Sequence, residues 1–417
     1  MDDRESLQSE VNTENHPPPL AALWSRDVAS DRLAGRPRTI LSLRRAMSEI
    51  GAVEHLRLSN MIEQQRLGAT LWAICTAAGE LLRGRLPSLQ CLLFADGGNH
   101  GQLRKRLQEL KSATLYCDGV RSYYFLRRLN AATRETHIVV DLDDLMSRRM
   151  DLLRKSGLGL SLGYLHGRVP AWVVRLLKRP LFAYLIASWE HRALRQAEDD
   201  LGKLANAVVL VSPSEGDALA SRYARNRARA DIAVIPPPSE IAALPQKYPR
   251  FERFIFIGSD TLLQNHSTIS RLIELWSTLK PSAALHIYGS MNHRWPDTDG
   301  IEFRGYAQSL SDVYTEGAVL LAPGLLRGGV KIKVIEAFAN GCAVVGNSVT
   351  FEGLGLEDYP LLFEDEGQIG DLIRNPQIYL EAFRKAAFSG QELVARAFGW
   401  NGFSTAWRAV LTPGRSR

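Results

Sequence analysis

The chain has 417 residues, of which 45% are hydrophobic and 23% charged, a composition typical of folded proteins and unlike that of disordered or fibrous chains. This length favours two domains over one. The formal net charge of +6 suits anionic ligands or an anionic membrane surface, but it is too small and too dispersed to make nucleic acid an expected partner.

The N-terminal residues and the cysteines bear on the cellular compartment. Residues 1–16 are polar and without periodicity, which predicts a disordered tail and no signal peptide. No apolar run reaches the ~18 residues of a membrane-spanning helix. We therefore expect a cytoplasmic protein, with peripheral attachment to the inner membrane face as an open alternative. The four cysteines match no metal-binding pattern and are expected to be buried, reduced thiols: Cys75, Cys91, Cys117 and Cys342.

Residues 17–235 alternate between strand-like and helix-like segments, which is typical of a parallel, doubly wound sheet. Short apolar runs bounded by turn residues predict the strands, and segments of helical periodicity lie between them. The predicted strands cover residues 20–24, 53–58, 89–94, 113–116, 137–142, 207–211 and 232–235; the predicted helices cover 40–50, capped by Thr39, 71–84 and 102–111.

Residues 157–195 interrupt this alternation. The segment mixes aromatic with basic side chains, a pattern typical of helices that lie on membrane surfaces. Two interpretations stay open: an insertion that contacts a membrane, and a long helix packed inside the domain. The side chains that make the pattern are Trp172, Phe182, Tyr184, Trp189, Arg168, Arg175, Lys178 and Arg179.

A second α/β domain is expected over residues 236–398. Pro236, Pro237 and Pro238 break regular structure and mark the linker before it. Strand ends in this domain carry Gly-Ser pairs, and ligands bind at the carboxyl ends of strands in open α/β sheets. The predicted strands cover residues 253–257, 284–288, 301–303 and 318–323, with a helix at 268–279, and residues 399–417 hold a last helix, at 401–411, and a tail.

The most informative segment opens with Gly328 and Gly329, followed by a predicted helix with Lys331 and Lys333 in its first turn. Two cations are unfavourable there, because a helix N-terminus already carries about half a positive charge. They become favourable when an anion binds to the free N–H groups of the helix start, and glycines let such a ligand approach. Lys333 and Glu336 share one helix face. The segment therefore predicts a phosphate site beside a carboxylate for sugar hydroxyls; an ordinary surface Lys–Glu pair is the alternative.

This segment resembles the donor-binding segment of retaining glycosyltransferases with the GT-B fold, family 4 in particular. It follows the family pattern Gly-x-Lys-x-Lys-x-x-Glu and continues through a small-residue turn into a short apolar strand at residues 341–346, and then into residues 350–354. The resemblance is good over roughly the second half of the chain and weaker over the first. It implies an α/β, GT-B architecture, in which two Rossmann-like, doubly wound domains face each other across a cleft and a C-terminal helix crosses back to the first domain.

The resemblance also implies roles for individual residues. Lys333 would neutralise the leaving diphosphate, assisted by Lys331, so no metal or other cofactor is expected. Glu336 would hold the ribose hydroxyls, whereas Gly328 and Gly329 would let the sugar or phosphate approach the backbone. Further donor contacts are implied for Gly258, Ser259 and Glu352.

Three carboxylates, those of Asp141, Asp143 and Asp144, close the predicted strand at 137–142. Asp-x-Asp also matches the metal motif of the GT-A glycosyltransferase fold, where oxygen ligands of this kind hold Mn²⁺ or Mg²⁺. In a GT-B protein the same carboxylates would face the acceptor, which makes Asp141 and Asp144 candidate catalytic residues; helix capping by Asp143 or Asp144 is a third interpretation. Many family members carry a histidine near this strand end, and its place is taken here by Asp141 or Leu142.

The leading hypothesis is a retaining glycosyltransferase that moves a sugar from a nucleoside-diphosphate sugar to a saccharide or lipid-linked acceptor, in the synthesis of a surface polysaccharide or envelope glycan. One alternative is a metal-dependent transferase that uses Asp141 and Asp143. Another is a catalytically degenerate GT-B protein that acts as a binding or complex partner. A nicotinamide dehydrogenase is not expected, because no GxGxxG follows a strand.

Overall fold

The computed structural model describes residues 20–26, 36–61, 67–129, 136–156, 175, 179–241, 251–315, 317–325 and 327–412. The predicted tail at 1–16 lies outside the described residues, as do residues 157–174 and 176–178 of the aromatic and basic segment.

The first domain is built on a six-stranded, all-parallel sheet with helices on both faces. Its strands are β1 (Leu20–Trp24), β2 (Val53–Arg57), β3 (Thr114–Asp118), β4 (His137–Asp143), β5 (Ala207–Leu210) and β6 (Asp231–Val234), in the order β2-β1-β3-β4-β5-β6. Its helices are α1 (Arg36–Ser48), α2 (Leu67–Leu82), α3 (Leu89–Leu92), α4 (Gly97–Leu110), α5 (Tyr123–Leu129), α6 (Met146–Ser156), α7 (Pro180–Leu204) and α8 (Pro213–Asn226). Both β1 and β3 are buried along their whole length, as continuous apolar runs in parallel sheets usually are.

The predicted strand at 89–94 is wrong: this run forms the short helix α3. Ser88 caps the helix by accepting a hydrogen bond from Cys91 N. The buried Glu190 of α7 accepts further hydrogen bonds from Leu89 N and Gln90 N, at 2.7 and 3.0 Å. A carboxylate about a hundred residues away therefore satisfies the free N–H groups of this turn, and the local apolar pattern gives no sign of it.

The first predicted helix also begins earlier than expected, at Arg36 instead of after Thr39. Pro37 suits the first turn of a helix, because its fixed φ is helical and its missing N–H would have had no intrahelical partner. Thr39 consequently lies within the first turn and is not the N-cap.

The second domain is built on a five-stranded, all-parallel sheet, as the alternation predicted. Its strands are β7 (Arg253–Ile257), β8 (Leu285–Tyr288), β9 (Ile301–Gly305), β10 (Ala318–Leu321) and β11 (Ala343–Val345), in the order β11-β10-β7-β8-β9. Its α-helices are α9 (Leu263–Leu279), α10 (Ile332–Ala339), α11 (Glu366–Arg374) and α12 (Leu380–Ala397). Phe254, Phe256, Trp276, Phe338 and Phe383 are fully buried in its core.

The last helix, α13 (Trp400–Leu411), packs on the first domain. Its buried side chains Phe403, Trp407 and Leu411 join the core on one face of the N-terminal sheet. Thr114 Oγ1 donates a hydrogen bond of 2.9 Å to the carbonyl of Leu411. The chain thus returns to the first domain, which limits how the two sheets can be arranged. Among the described helices, none combines the length and apolarity needed to cross a bilayer.

Candidate active site

A cavity of about 280 Å³ lies between the two domains. The first domain contributes residues at the carboxyl ends of β4 and β5, and the second contributes the loop between β10 and α10 together with the ends of β7 and α9. The charged residues of the lining are Asp144, Arg149, Glu215, Arg327, Lys331 and Lys333. Ligands of open α/β sheets bind at such strand ends, so this cavity is the candidate active site.

The loop before α10 depends on two glycines with positive φ, Gly328 at +107° and Gly329 at +64°. A Cβ on Gly329 would lie 2.5 Å from Oδ1 of Asp144, closer than non-bonded atoms approach. Only glycine therefore lets the Asp144 carboxylate of the first domain meet this loop. The helix begins at Ile332, with Lys331 at the N-cap, so the glycine pair and Lys331 precede the first turn that was expected to contain that lysine.

The two lysines lie beside this loop with few partners. Lys331 Nζ donates hydrogen bonds to the carbonyls of Gly328 and Gly329, and Lys333 Nζ donates to the carbonyl of Ile257 at 3.1 Å. Within the described part of the chain, neither ammonium forms an ion pair with a carboxylate. Burial lowers the pKa of Lys331, and burial with the nearby Lys331 lowers the pKa of Lys333 to about 8. Both cations would be stabilised by an anion in the cavity.

Glu336 lies on the same helix and is 6% exposed. Its Oε1 is 3.3 Å from Nη1 of Arg38, which belongs to α1 of the first domain. Burial raises the pKa of this carboxyl, and the Arg38 guanidinium opposes the rise. The carboxylate expected to hold ribose hydroxyls is therefore engaged by an arginine from across the cleft. Nothing in the sequence pattern identified Arg38, because its role depends on the domain arrangement.

Glu352 ties the glycine loop to the first domain. One carboxylate oxygen accepts from Gly328 N at 2.7 Å, and the other forms an ion pair of 2.9 Å with Arg148 of α6. Arg148 also donates to Ser214 Oγ at 3.2 Å. Glu352 thus holds the loop that lines the cavity, and the donor contact that the family resemblance implies for it stays a prediction.

Gly258 and Ser259 form the turn after β7, next to the cavity lining. A Cβ on Gly258 would lie 2.7 Å from the side-chain amide of Asn265, and that amide donates to the carbonyl of Ser259 at 3.0 Å. Ser259 Oγ donates to the carbonyl of Ser290 at 2.9 Å. Asn265 itself lines the cavity, so the close packing of this turn places an amide there.

The three aspartates at the carboxyl end of β4 have different surroundings. Asp141 is 1% exposed, and its carboxylate accepts hydrogen bonds from Tyr116 OH and Asp143 N. Asp143 has a φ of +66° and lies 3.8 Å from Arg26, whereas Asp144 lines the cavity. The pairing register of β4 shifts at this point, which separates the carboxylates. Among the described residues, no group of three or more His, Cys, Asp or Glu is arranged to hold a metal ion.

Glu215 is a buried carboxyl in the cavity lining that the sequence analysis did not select. It lies in the first turn of α8, is 1% exposed, and accepts a hydrogen bond from Leu145 N at 3.3 Å. Burial and the charge of Asp144 raise its pKa to about 8, so the carboxyl is mostly protonated at pH 7. The sequence feature that could have identified Glu215 is its position shortly after the predicted strand at 207–211.

Comparison with known proteins bears on the fold and on the second domain. Residues 252–374 match the family of group 1 glycosyl transferases. No curated protein sequence matches the chain significantly. Among solved structures, HepE of Anabaena is similar with a TM-score of 0.58 at 9% identity, covering 93% of this chain and 97% of HepE. Sucrose-phosphate synthase of Thermosynechococcus elongatus has a TM-score of 0.59 at 15% identity, covering 93% of this chain and 96% of that protein.

TarM of S. aureus is similar over a smaller part, with a TM-score of 0.51 at 11% identity, covering 75% of this chain. The chain spans 59% of the length of TarM. At such identities structural similarity establishes the fold alone. The fold is GT-B, with two parallel-sheet α/β domains, and the match to the group 1 glycosyl transferases lies in the second of them.

Proposed function

We propose that the protein transfers a sugar from a nucleoside-diphosphate sugar, with UDP-sugars as the favoured donors, to a saccharide or lipid-linked acceptor. The observation that carries the proposal is the pair of half-buried lysines, Lys331 and Lys333, which face the interdomain cavity without a carboxylate partner among the described residues. The structure of HepE holds UDP and glucose, and that of TarM holds UDP and α-GlcNAc-glycerol. These neighbours support UDP as the nucleotide.

The site would act mainly through charge and position. The two lysines and the free N–H groups at the start of α10 would hold the diphosphate and stabilise it as it leaves. Glu336 would accept hydrogen bonds from ribose hydroxyls once Arg38 moves away from it. Asp144 would face the reacting sugar from the first domain. Positioning of both substrates by the closed cleft would supply the remaining rate enhancement, without a metal ion.

Three finer features belong to this proposal. Membership of glycosyltransferase family 4, and with it retention of configuration at the reacting carbon, is supported by the resemblance of residues 328–336 to the donor-binding segment of that family. A role in surface polysaccharide or envelope glycan synthesis is supported by the same resemblance. Retention is tested by the anomeric configuration of the product, read from NMR coupling constants.

A turnover assay tests the proposal. The protein is incubated with UDP-, GDP-, ADP- and dTDP-sugars and a panel of saccharide and lipid-linked acceptors, with and without EDTA, and product and released nucleotide are quantified. We expect EDTA-resistant transfer from a UDP-sugar that is lost in Lys333→Ala and kept in Lys385→Ala, a control at an exposed lysine of the same domain. Nucleotide binding without turnover would favour the degenerate alternative, and loss of activity with EDTA would favour the metal-dependent one.

We also propose that the first domain contacts a lipid surface, which suits a lipid-linked acceptor. Helix α7 begins within the aromatic and basic segment, and its first half exposes Leu181, Phe182, Tyr184, Leu185 and Trp189. Helix α2, for which the sequence analysis predicted no membrane contact, buries mainly alanines. Its exposed apolar side chains are Leu67, Leu71, Trp72, Ile74, Leu81 and Leu82. Exposed apolar side chains in such number mark an interaction surface.

Sedimentation with anionic phospholipid vesicles tests the lipid contact. We expect the wild-type protein to sediment with the vesicles and the variant Phe182→Ser/Leu185→Ser to remain mostly in solution. Phe388→Ser, at an exposed aromatic residue of α12 in the other domain, is the control and should sediment like the wild type. Equal sedimentation of all three proteins would count against a role for α7.

A further inference from the structure

The carboxyl group of Glu215 has one oxygen engaged and one oxygen available. Oε2 accepts the hydrogen bond from Leu145 N, 3.3 Å away. Oε1 has no hydrogen-bond partner among the described residues. It lies 3.5 Å from the place where a Cβ on Gly328 would be, so it faces the glycine loop of the opposite domain. The side chain is 1% exposed overall and lines the interdomain cavity.

Glu215 lines the interdomain cavity, and a carboxyl oxygen in a cavity wall can form a hydrogen bond with a ligand that enters the cavity. The cavity beside Oε1 is open on the side of Gly328, where the proposed donor phosphate and sugar would lie. A ligand oxygen at that place could bond to Oε1, for which the described residues provide no hydrogen-bond partner.

The charged groups that influence the Glu215 carboxyl come from several elements of both domains. They are Asp144 of the β4–α6 loop, Arg148 of α6, Glu198 of α7 and Lys331 of the glycine loop. Burial is the largest influence on the Glu215 pKa, and Asp144 adds to it, so the pKa rises to about 8. The carboxyl is therefore mostly neutral at pH 7 and can donate a hydrogen bond as well as accept one.

We propose that Glu215 is a substrate-contacting residue whose free carboxyl oxygen forms a hydrogen bond with a sugar hydroxyl in the cleft. This inference rests on the proposed glycosyltransferase function and adds a residue from the first domain to it. In the protonated form Oε1 donates and the sugar hydroxyl oxygen accepts, while Oε2 keeps its bond from Leu145 N. The hydroxyl belongs either to the donor sugar or to the acceptor, and the two sources differ in which substrate binds more weakly after mutation.

The test compares Glu215→Gln and Glu215→Ala with Asp217→Asn, a control at an exposed residue of the same helix. Glutamine keeps an oxygen for Leu145 N and an N–H donor for the sugar, so kcat/KM for transfer at pH 7 should stay within about threefold of the wild-type value. Alanine removes the hydrogen bond to the sugar, so it should lower kcat/KM about tenfold. Donor Kd and acceptor KM are measured separately: weaker donor binding in the alanine variant assigns the hydroxyl to the donor sugar, and a raised acceptor KM assigns it to the acceptor.

The pH dependence gives a second readout. As pH rises from 7 to 9, wild-type Glu215 ionises and loses its donor, whereas glutamine does not. The ratio of wild-type to Glu215→Gln activity should therefore fall with pH. Lys333 titrates in both proteins, and Glu215 is not among the causes of its pKa shift, so the direct effect of Lys333 cancels in the ratio.

An inactive Glu215→Gln that still binds UDP and unfolds at the wild-type temperature would overturn the proposal, because the ionised form would then be the active one. An alanine variant with wild-type kinetics would overturn it as well. If the alanine variant does not fold, the glutamine comparison and its pH ratio decide the matter. A wild-type protein that binds no nucleotide sugar would overturn the proposed function itself, and with it this inference.

Discussion

Replacing Gly329 with alanine tests whether the two domains meet at this residue. Its φ of +64° lies in the left-handed region, where a Cβ costs roughly 1–2 kcal/mol. The added Cβ would also lie 2.5 Å from Oδ1 and 3.1 Å from Cγ of Asp144 in the opposite domain. Carbon atoms prefer contacts of about 3.5 Å or more, so the loop and the carboxylate would have to separate by roughly 1 Å.

Gly355→Ala is the matched control, because Gly355 also has a φ of +64° but has no atom within 4 Å of its Cβ position. By denaturant titration both variants should lose roughly 1–2 kcal/mol of unfolding free energy. In initial-rate assays Gly329→Ala alone should lose transfer, by about 100-fold, since a displacement near 1 Å can cost that much. Adding Asp144→Ala should make the double variant no less active than Asp144→Ala alone. Equal transfer rates for the two glycine variants would refute the reasoning.

The remaining predictions concern ionisation, the cross-domain ion pair and packing. Because the pKa of Lys333 is lowered to about 8, the affinity for UDP should fall as pH rises above 8, and UDP binding should be accompanied by proton uptake. Calorimetry in buffers of different ionisation enthalpy measures both the affinity and the proton uptake. An affinity that does not change with pH would contradict this prediction. Arg38→Ala should lower the unfolding free energy by less than about 1 kcal/mol, because Arg38, which pairs with Glu336 across the domains, is 40% exposed. A larger loss, measured by denaturant titration, would contradict this prediction. Gly390→Ala would put a Cβ 2.1 Å from the Phe338 ring and should lower the unfolding free energy by about 1–3 kcal/mol. In Gly402→Ala the new Cβ would have no atom within 4 Å, so this variant should be as stable as the wild type or more stable in the same titration. Equal effects of the two substitutions would count against the packing argument.

Local patterns were sufficient for most of the fold. Strands such as β1 and β4 are short apolar runs between turn residues, and the glycine loop before α10 combines signals that are all local in sequence. The run at 89–94 was wrongly predicted as a strand, because a short apolar run fits either structure and the deciding carboxylate belongs to Glu190. Secondary structure set by a distant side chain is not visible in a local window.

Local sequence patterns likewise indicated only part of the candidate site, because some of its residues come together only in the folded chain. The expectation that Lys331 and Lys333 bind a phosphate comes from neighbouring residues, and both side chains line the interdomain cavity. Arg38 meets Glu336 only where the two domains meet, so no spacing in the sequence singled it out. Glu215 follows a predicted strand, but its burial and its place in the cavity lining are visible only in the fold. Asp141 was selected because it closes a strand, yet its side chain bonds to Tyr116 inside the first domain.

Calorimetric titration of UDP against the wild-type protein and Lys333→Ala, with Lys385→Ala as control, tests the central claim most directly. The account predicts that UDP binds the wild type and the control equally. It predicts at least about 10-fold weaker binding to Lys333→Ala, since a hydrogen bond to a charged group contributes about 1.5–3 kcal/mol. Equal affinity for all three proteins would place the nucleotide elsewhere and contradict the account.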